Sequence, residues 1–356
     1  MTAVSGPTTV AGAQRVPRGQ VLVTDHVVNG PHGELRIRVY EPAPAAARVA
    51  GLVWCHGGAF MHGDLEMAES DWVARELAAR GVVVASVGYR LAPAFDYRDG
   101  TPPADPQPGR VRFPVPHDEV TFAFGWAAGR FGVEAGRWSL GGTSAGGNLA
   151  GGAALRLRDV ALGRAAAADG TASGPGAQPR SVVLVYPVAH YELPAPSREL
   201  AEKAGLLEAE ANFRDAQMLA INDNYLGHPG PSSSPYAFPG GQDLRGLPPH
   251  LVLNSDSDAL RSSGQAYAAE LAAAGVDVYL VREDGTRHGH LNQPGTPGAA
   301  RSIARIATWL TADALIGTAH EPSPAPDDVV LASPPAAGPP PETTPDDSPQ
   351  HTRKQS

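Results

Sequence analysis

Two spacings of apolar residues alternate along the chain and predict strands and helices in turn. Leu35, Ile37 and Val39 alternate with Arg36 and Arg38, the period-two signature of a half-buried strand. With a similar stretch before it, this predicts an antiparallel pair of edge strands over 21–28 and 34–40. Continuous apolar runs at 51–55, 82–87, 138–140, 181–186, 250–254 and 276–281 read as buried strands. Helical spacing falls between them, at 66–80 (Trp72, Val73, Leu77 and Ala78 among others), 118–131, 145–158, 262–274 and 298–315. The last places Ile303, Ile306, Trp309 and Leu310 on one face. Gly81 is positioned to stop the first helix, and Asp118 to open the second by charge and capping.

Strands alternating with helices over 51–315 predict an α/β protein with a largely parallel sheet and helices on both faces. Three stretches interrupt the rhythm. Residues 94–112 are rich in Pro, Gly and Asp, and so long an irregular connection reads as a functional loop or an excursion. Residues 163–179 are rich in Ala, Gly and Ser and read as a surface loop. Residues 188–246 follow the C-terminal end of a strand, where an insert covers any site on that edge. Their apolar positions (Leu206, Leu207, Phe213, Met218, Leu219, Ile221, Tyr225, Leu226) suit a substrate pocket and an ordinary packed helix equally well. Residues 1–19 read as a flexible arm and 318–356, rich in Pro, Ser and acid, as a disordered tail, leaving one domain over 20–317.

Composition narrows the function. A chain of 356 residues, 42% hydrophobic, suffices for one large core. A net charge of −9 argues against nucleic-acid or anionic-membrane partners. Only two lysines occur, Lys203 and Lys354, so the positive charge is nearly all arginine. The lone Cys55 has no partner for an internal disulfide and reads as a small buried hydrophobe. No basic start leads into an apolar run, and no apolar stretch is long enough to span a bilayer. The expectation is a cytoplasmic protein without signal peptide or membrane segment.

Chemistry collects at four predicted strand ends. Gly142-Thr143-Ser144-Ala145-Gly146 fits G-x-S-x-G, a sharp strand-to-helix turn that lifts a serine hydroxyl above the sheet. Flanking glycines keep Cβ atoms from colliding there. His56-Gly57-Gly58 after the 51–55 strand supplies backbone N–H groups that side chains do not crowd, as an oxyanion hole requires. A tight turn would use the same glycines. His56 itself reads as a structural residue that holds the loop by a hydrogen bond. Asp258, with Asp256 as its neighbour, and His288, with His290, end the two last strands. A serine needs a base within reach, and a neutral histidine needs a carboxylate to fix its tautomer, so the order Ser…Asp…His is chemically meaningful.

With these markers the chain resembles the bacterial hormone-sensitive-lipase-like family of α/β-hydrolases over roughly residues 20–315. The markers are His56-Gly57-Gly58-Ala59-Phe60, Tyr89-Arg90-Leu91-Ala92-Pro93, the segment 141–148, Asp258-Ala259-Leu260-Arg261 and His288-Gly289. The resemblance implies an α/β-hydrolase fold with a small cap insert contributed by 188–246. It also implies Ser144 as nucleophile, His288 as general base and Asp258 as orienting acid. Asp258 opens the segment matching the family's D-P-L, whereas Asp256 has only turn chemistry to support it. His290 sits where the family usually has an aromatic residue. The implied oxyanion donors are the N–H groups of Gly58, Ala59 and Ala145, with Gly57 shaping the loop. Three departures bear on the substrate: Ala59 replaces a loop glycine, the N-terminal cap looks shortened, and 94–112 looks long.

The expected activity is hydrolysis of small carboxylic esters with short to medium acyl chains through an acyl-enzyme, needing neither metal nor organic cofactor. An amidase, lactonase or acyltransferase would use the same triad. A non-catalytic ligand-binding protein on a hydrolase fold would lack a working histidine, and His288 argues against it. An edge strand offers a route to a homodimer.

Overall fold

The computed structural model describes residues 20–98, 102–103, 107–166, 178–206 and 213–312, all within the compact unit Met1–Leu315. The expected arm 1–19 and tail 318–356 lie outside the described residues, as do Leu207 and parts of the 94–112 and 163–179 loops.

Among the described residues eight strands form one sheet in the order β1-β2-β4-β3-β5-β6-β7-β8. Strands β1 (Gln20–Gly30) and β2 (Gly33–Ala43) are the antiparallel pair at one edge, and β2 is antiparallel to β4 (Val82–Gly88). Strands β3 (Ala50–Cys55), β4, β5 (Trp138–Thr143), β6 (Val182–Val185), β7 (His250–Ser257) and β8 (Val278–Arg287) run parallel. Side chains of each buried strand alternate between two cores. Val53, Cys55, Val83, Ala85 and Leu140 pack with α2 (Val115–Ala127), α3 (Ala145–Ala161) and α6 (Arg261–Ala273). Leu52, Trp54, Val82, Val84, Leu251 and Leu253 pack on the other face with α1 (Asp71–Ala78) and α7 (Pro297–Thr311). Two-sided burial explains why these strands are continuously apolar.

Successive connections go to opposite sides of β3: β4 lies on one flank and β5 on the other. That reversal opens a crevice beyond the strand ends, where ligands of open α/β sheets bind. The register Cys55↔Gly142 brings the chain after β3 beside the chain after β5, and so the His56 loop meets Ser144.

Several boundaries differ from expectation. Helix α1 starts at Asp71 instead of 66, because the Asp64 carboxylate accepts the N–H groups of Glu66 and Met67 and turns the chain before the helix begins. Helix α2 starts at Val115, since proline is tolerated in a first turn. Asp118 therefore does not cap it; its carboxylate pairs with Arg156 and lies 2.9 Å from His32 Nε2. Strand β8 runs six residues beyond the apolar run 276–281, to Arg287, by pairing with β7 through an irregularity at Ser255–Ser257. The longer strand delivers His288 directly to the crevice. The described residues of the 188–246 insert hold two helices, α4 (Arg198–Lys203) and α5 (Asp215–Leu226).

Candidate active site

Ser144 stands between the end of β5 and the first residue of α3, with φ +50° and ψ −117°. A non-glycine residue with φ in this range is strained by about 1–3 kcal/mol and persists only where its surroundings impose it. Here the imposition is steric. A Cβ on Gly142 would collide with the carbonyls of Gly146 and Cys55, and one on Gly146 with those of Cys55 and His56. The elbow is thus pressed against the end of β3, with no room for a side chain on either flank.

His288 lies across the crevice. Its Nε2 is 3.1 Å from Ser144 Oγ, and its Nδ1 is 2.7 Å from Asp258 Oδ2. The tautomer that satisfies both contacts carries its proton on Nδ1, leaving Nε2 to accept from the serine hydroxyl. Asp258 is buried, and its second oxygen accepts the Leu260 N–H at 3.0 Å. Burial opposes the imidazolium, but the Asp258 charge and hydrogen bond outweigh it, with a smaller push from Glu69. The His288 pKa is raised as a result. Phe213, from the insert, and Tyr186, after β6, meet the His288 ring edge-on at centroid distances of 4.8 and 5.0 Å.

The structure therefore brings Ser144, Asp258 and His288 together and leaves their sequence neighbours apart. Asp256 is held at 2.7 Å by Lys203 Nζ and accepts the Gly285 N–H, which ties α4 to the sheet edge. His290 is buried between Ser255 Oγ at 2.9 Å and Ser302 Oγ at 2.8 Å. Burial, aided by the nearby His288, pushes its pKa down to about 4.

The loop after β3 faces Ser144. His56 is buried, with Nδ1 2.7 Å from the Gly57 carbonyl and its ring stacked on Tyr89 at 4.4 Å. Burial lowers its pKa. It holds the loop, as its position in the sequence suggested. Gly58 has φ +115°, and a Cβ there would run into the His62 carbonyl. Ala59 and Phe60 follow at φ +53° and +64°, so the alanine that replaces a family glycine sits in left-handed backbone. The Gly57 N–H donates to Glu69 Oε1 at 2.7 Å and is not a free donor. The N–H groups of Gly58 and Ala59 have no acceptor among the described residues. The Ala145 N–H, first in α3, is one the helix leaves unpaired.

Glu69 was not visible as a site residue from sequence. It is 2% exposed, and its second oxygen accepts the Tyr186 hydroxyl at 2.9 Å. One carboxylate thus ties the loop after β3 to the residue after β6 that flanks His288. Nothing in local periodicity separates it from Glu66 or Glu76. Cys55 lies under the loop, and burial raises its thiol pKa.

A cavity of ≈ 600 Å³ opens beside His288 and Asp258, with Tyr97, Lys203, Arg287 and Gln293 in its wall. A second, of ≈ 430 Å³, is lined by Leu193, Pro194, Leu206 and Ala216. Phe213 and Ala259 belong to both walls. Among the described residues no group of three or more His, Cys, Asp or Glu is placed to hold a metal, and no helix is long and apolar enough to cross a membrane.

A family model described as "alpha/beta hydrolase fold" matches residues 52–101 and 107–292, more than half of the chain. The chain is 29% identical over 287 residues to Esterase LipI of Mycobacterium tuberculosis, covering 79% of this chain and 78% of that protein. It is 31% identical over 261 residues to Ethyl acetate hydrolase of Pseudomonas putida, covering 71% and 70%. Among solved structures it is similar to the Pyrobaculum calidifontis esterase, with a TM-score of 0.65 and 31% identity over 83% of this chain and 86% of that one. Sheet order, elbow and sequence likeness lead to one placement: the chain belongs to the hormone-sensitive-lipase-like family of α/β-hydrolases, of the carboxylesterase type.

Proposed function

We propose that the protein hydrolyses small carboxylic esters of short to medium acyl chain through an acyl-enzyme on Ser144. The observation that carries this reading is the pair of contacts through His288, 3.1 Å to the serine and 2.7 Å to Asp258, opposite backbone N–H groups that have no acceptor among the described residues. Ser144 Oγ attacks the ester carbonyl while His288 Nε2 takes its proton. Asp258 holds the ring and stabilises the imidazolium that forms. The tetrahedral oxyanion is received by the Gly58, Ala59 and Ala145 amides, where a single such donor is typically worth about 3–4 kcal/mol. His288 then protonates the departing alkoxide. Water enters, gives a proton to His288 and attacks the acyl carbon; His288 then returns that proton to Ser144 Oγ as the acid leaves. The 188–246 insert caps the cleft, and Phe213 against His288 limits the room for the acyl chain.

The relatives named for esterase activity support the reaction class, and the intact His288 relay speaks against a purely ligand-binding role. The test is turnover of p-nitrophenyl acetate, butyrate and octanoate by the wild type and by Ser144→Ala. Turnover highest for the shorter chains and absent from the variant is expected. Activity retained by the variant would reject Ser144 as the nucleophile.

A further inference from the structure

The cavity beside His288 is walled by charge, and its charges are unequally matched. Lys203 is neutralised by Asp256 at 2.7 Å, and Glu202 is paired with Arg198 at 2.7 Å. Asp258 faces His288. Arg287 is different. Each of the other arginines among the described residues has a hydrogen bond, an ion pair or a ring contact. The Arg287 guanidinium makes none to the described residues, although Arg287 ends β8, stands next to His288 in the chain and lines this cavity.

We propose that Arg287 makes this site selective for esters that carry an anionic group, by receiving a carboxylate or comparable anion of the substrate at the cavity wall beside His288. The inference rests on the esterase reading above and adds the class of substrate. A guanidinium presents donors in a rigid fork that matches a carboxylate, and it keeps its charge at any working pH. Gln293 in the same wall adds a side-chain amide suited to the rest of an anionic limb. The apolar chamber beyond Phe213 takes the other limb. The substrate so described is amphiphilic: an ester between an apolar part and a part ending in an acid.

Two matched pairs of esters test this. 4-Acetoxybenzoate against 4-acetoxybenzamide places the anion on the leaving alcohol. Mono-p-nitrophenyl suberate against p-nitrophenyl octanoate places it on the acyl side. The readout is the anionic-to-neutral ratio of kcat/KM within each pair, measured for the wild type, Arg287→Gln and Arg287→Lys at low and high salt. The wild type is expected to favour the anion about five- to ten-fold in at least one pair, less at high salt. Arg287→Gln should bring that ratio to about one through KM, and Arg287→Lys should keep part of it. A wild-type ratio of one or below in both pairs would overturn the proposal, and so would a ratio that Arg287→Gln leaves unchanged. Failure of the wild type on all four esters would instead reject the esterase reading, and this proposal with it.

Discussion

Replacing Glu69 tests whether the loop after β3 is held in place for catalysis. The carboxylate receives two buried donors, the Gly57 N–H at 2.7 Å and the Tyr186 hydroxyl at 2.9 Å. Hydrogen bonds to a charged partner contribute about 1.5–3 kcal/mol each. Glu69→Ala leaves both donors buried and unpaired, for an expected destabilisation of about 3–5 kcal/mol. The loop next to Gly57 carries the Gly58 and Ala59 amides, so kcat should fall by about 10²-fold, approaching the loss of one oxyanion donor. Glu69→Gln is the informative control. Its amide oxygen accepts from Gly57 and its NH₂ faces Tyr186, so the loop stays tied and most of kcat survives. The charge, however, is gone. Glu69 helps to raise the His288 pKa, so the neutral variant has a lower one. Catalysis needs neutral His288, and kcat/KM falls as pH drops through that pKa. The wild-type acid limb should therefore lie above the usual histidine value of about 6.5, and Glu69→Gln should move it to lower pH. The assay is kcat and kcat/KM for p-nitrophenyl butyrate against pH, with thermal unfolding alongside. A folded Glu69→Ala variant with wild-type kcat, or an acid limb that Glu69→Gln moves upward, would refute the reasoning.

Other substitutions test neighbours that the family resemblance ranked and the fold holds apart. Asp258→Asn should lower kcat about 10³–10⁴-fold by disturbing the His288 tautomer, whereas Asp256→Asn, which weakens ion pairs with Lys203, Arg261 and Arg282 and touches neither His288 nor Ser144, should stay within about ten-fold in the same ester assay. Gly146→Ala drives a Cβ into the Cys55 and His56 carbonyls; with backbone on the far side, a loss of about 3 kcal/mol or more in denaturant unfolding is expected. Ala59→Gly relieves a left-handed alanine at φ +53°. Relief of about 1–2 kcal/mol, set against about 0.5–1 kcal/mol of added chain entropy, predicts a small gain in stability by the same measurement.

Much of this site was legible because its chemistry sits at strand ends. Apolar runs flanked by glycine located β3 and β5, and the elbow motif fixed Ser144 with its flanking glycines, whose need for space the fold then explains. What stayed open was contact between distant segments. The last-strand candidates come as neighbours two residues apart, Asp258 with Asp256 and His288 with His290; the resemblance favoured Asp258 and His288, and the fold turns these two toward the serine. The start of α1 was misplaced because the Asp64 turn competes with helical spacing over 66–70. Glu69 was missed for the same reason: it lies in that turn, and its partners, Gly57 and Tyr186, are 12 and 117 residues away. The long reach of β8 escaped detection because Arg282, Glu283 and Asp284 are charged, although β8 pairs with β7 at Arg282 and Glu283 and again at Arg287.

The central claim is that Ser144 becomes covalently acylated. Its most direct test is labelling with a fluorophosphonate, which phosphonylates an activated serine and releases fluoride, followed by peptide mass spectrometry and residual ester turnover. The account predicts one label per chain, on the peptide containing Ser144, with turnover lost in proportion and labelling abolished in His288→Ala. A label on another residue, or full turnover after stoichiometric labelling of Ser144, would contradict it.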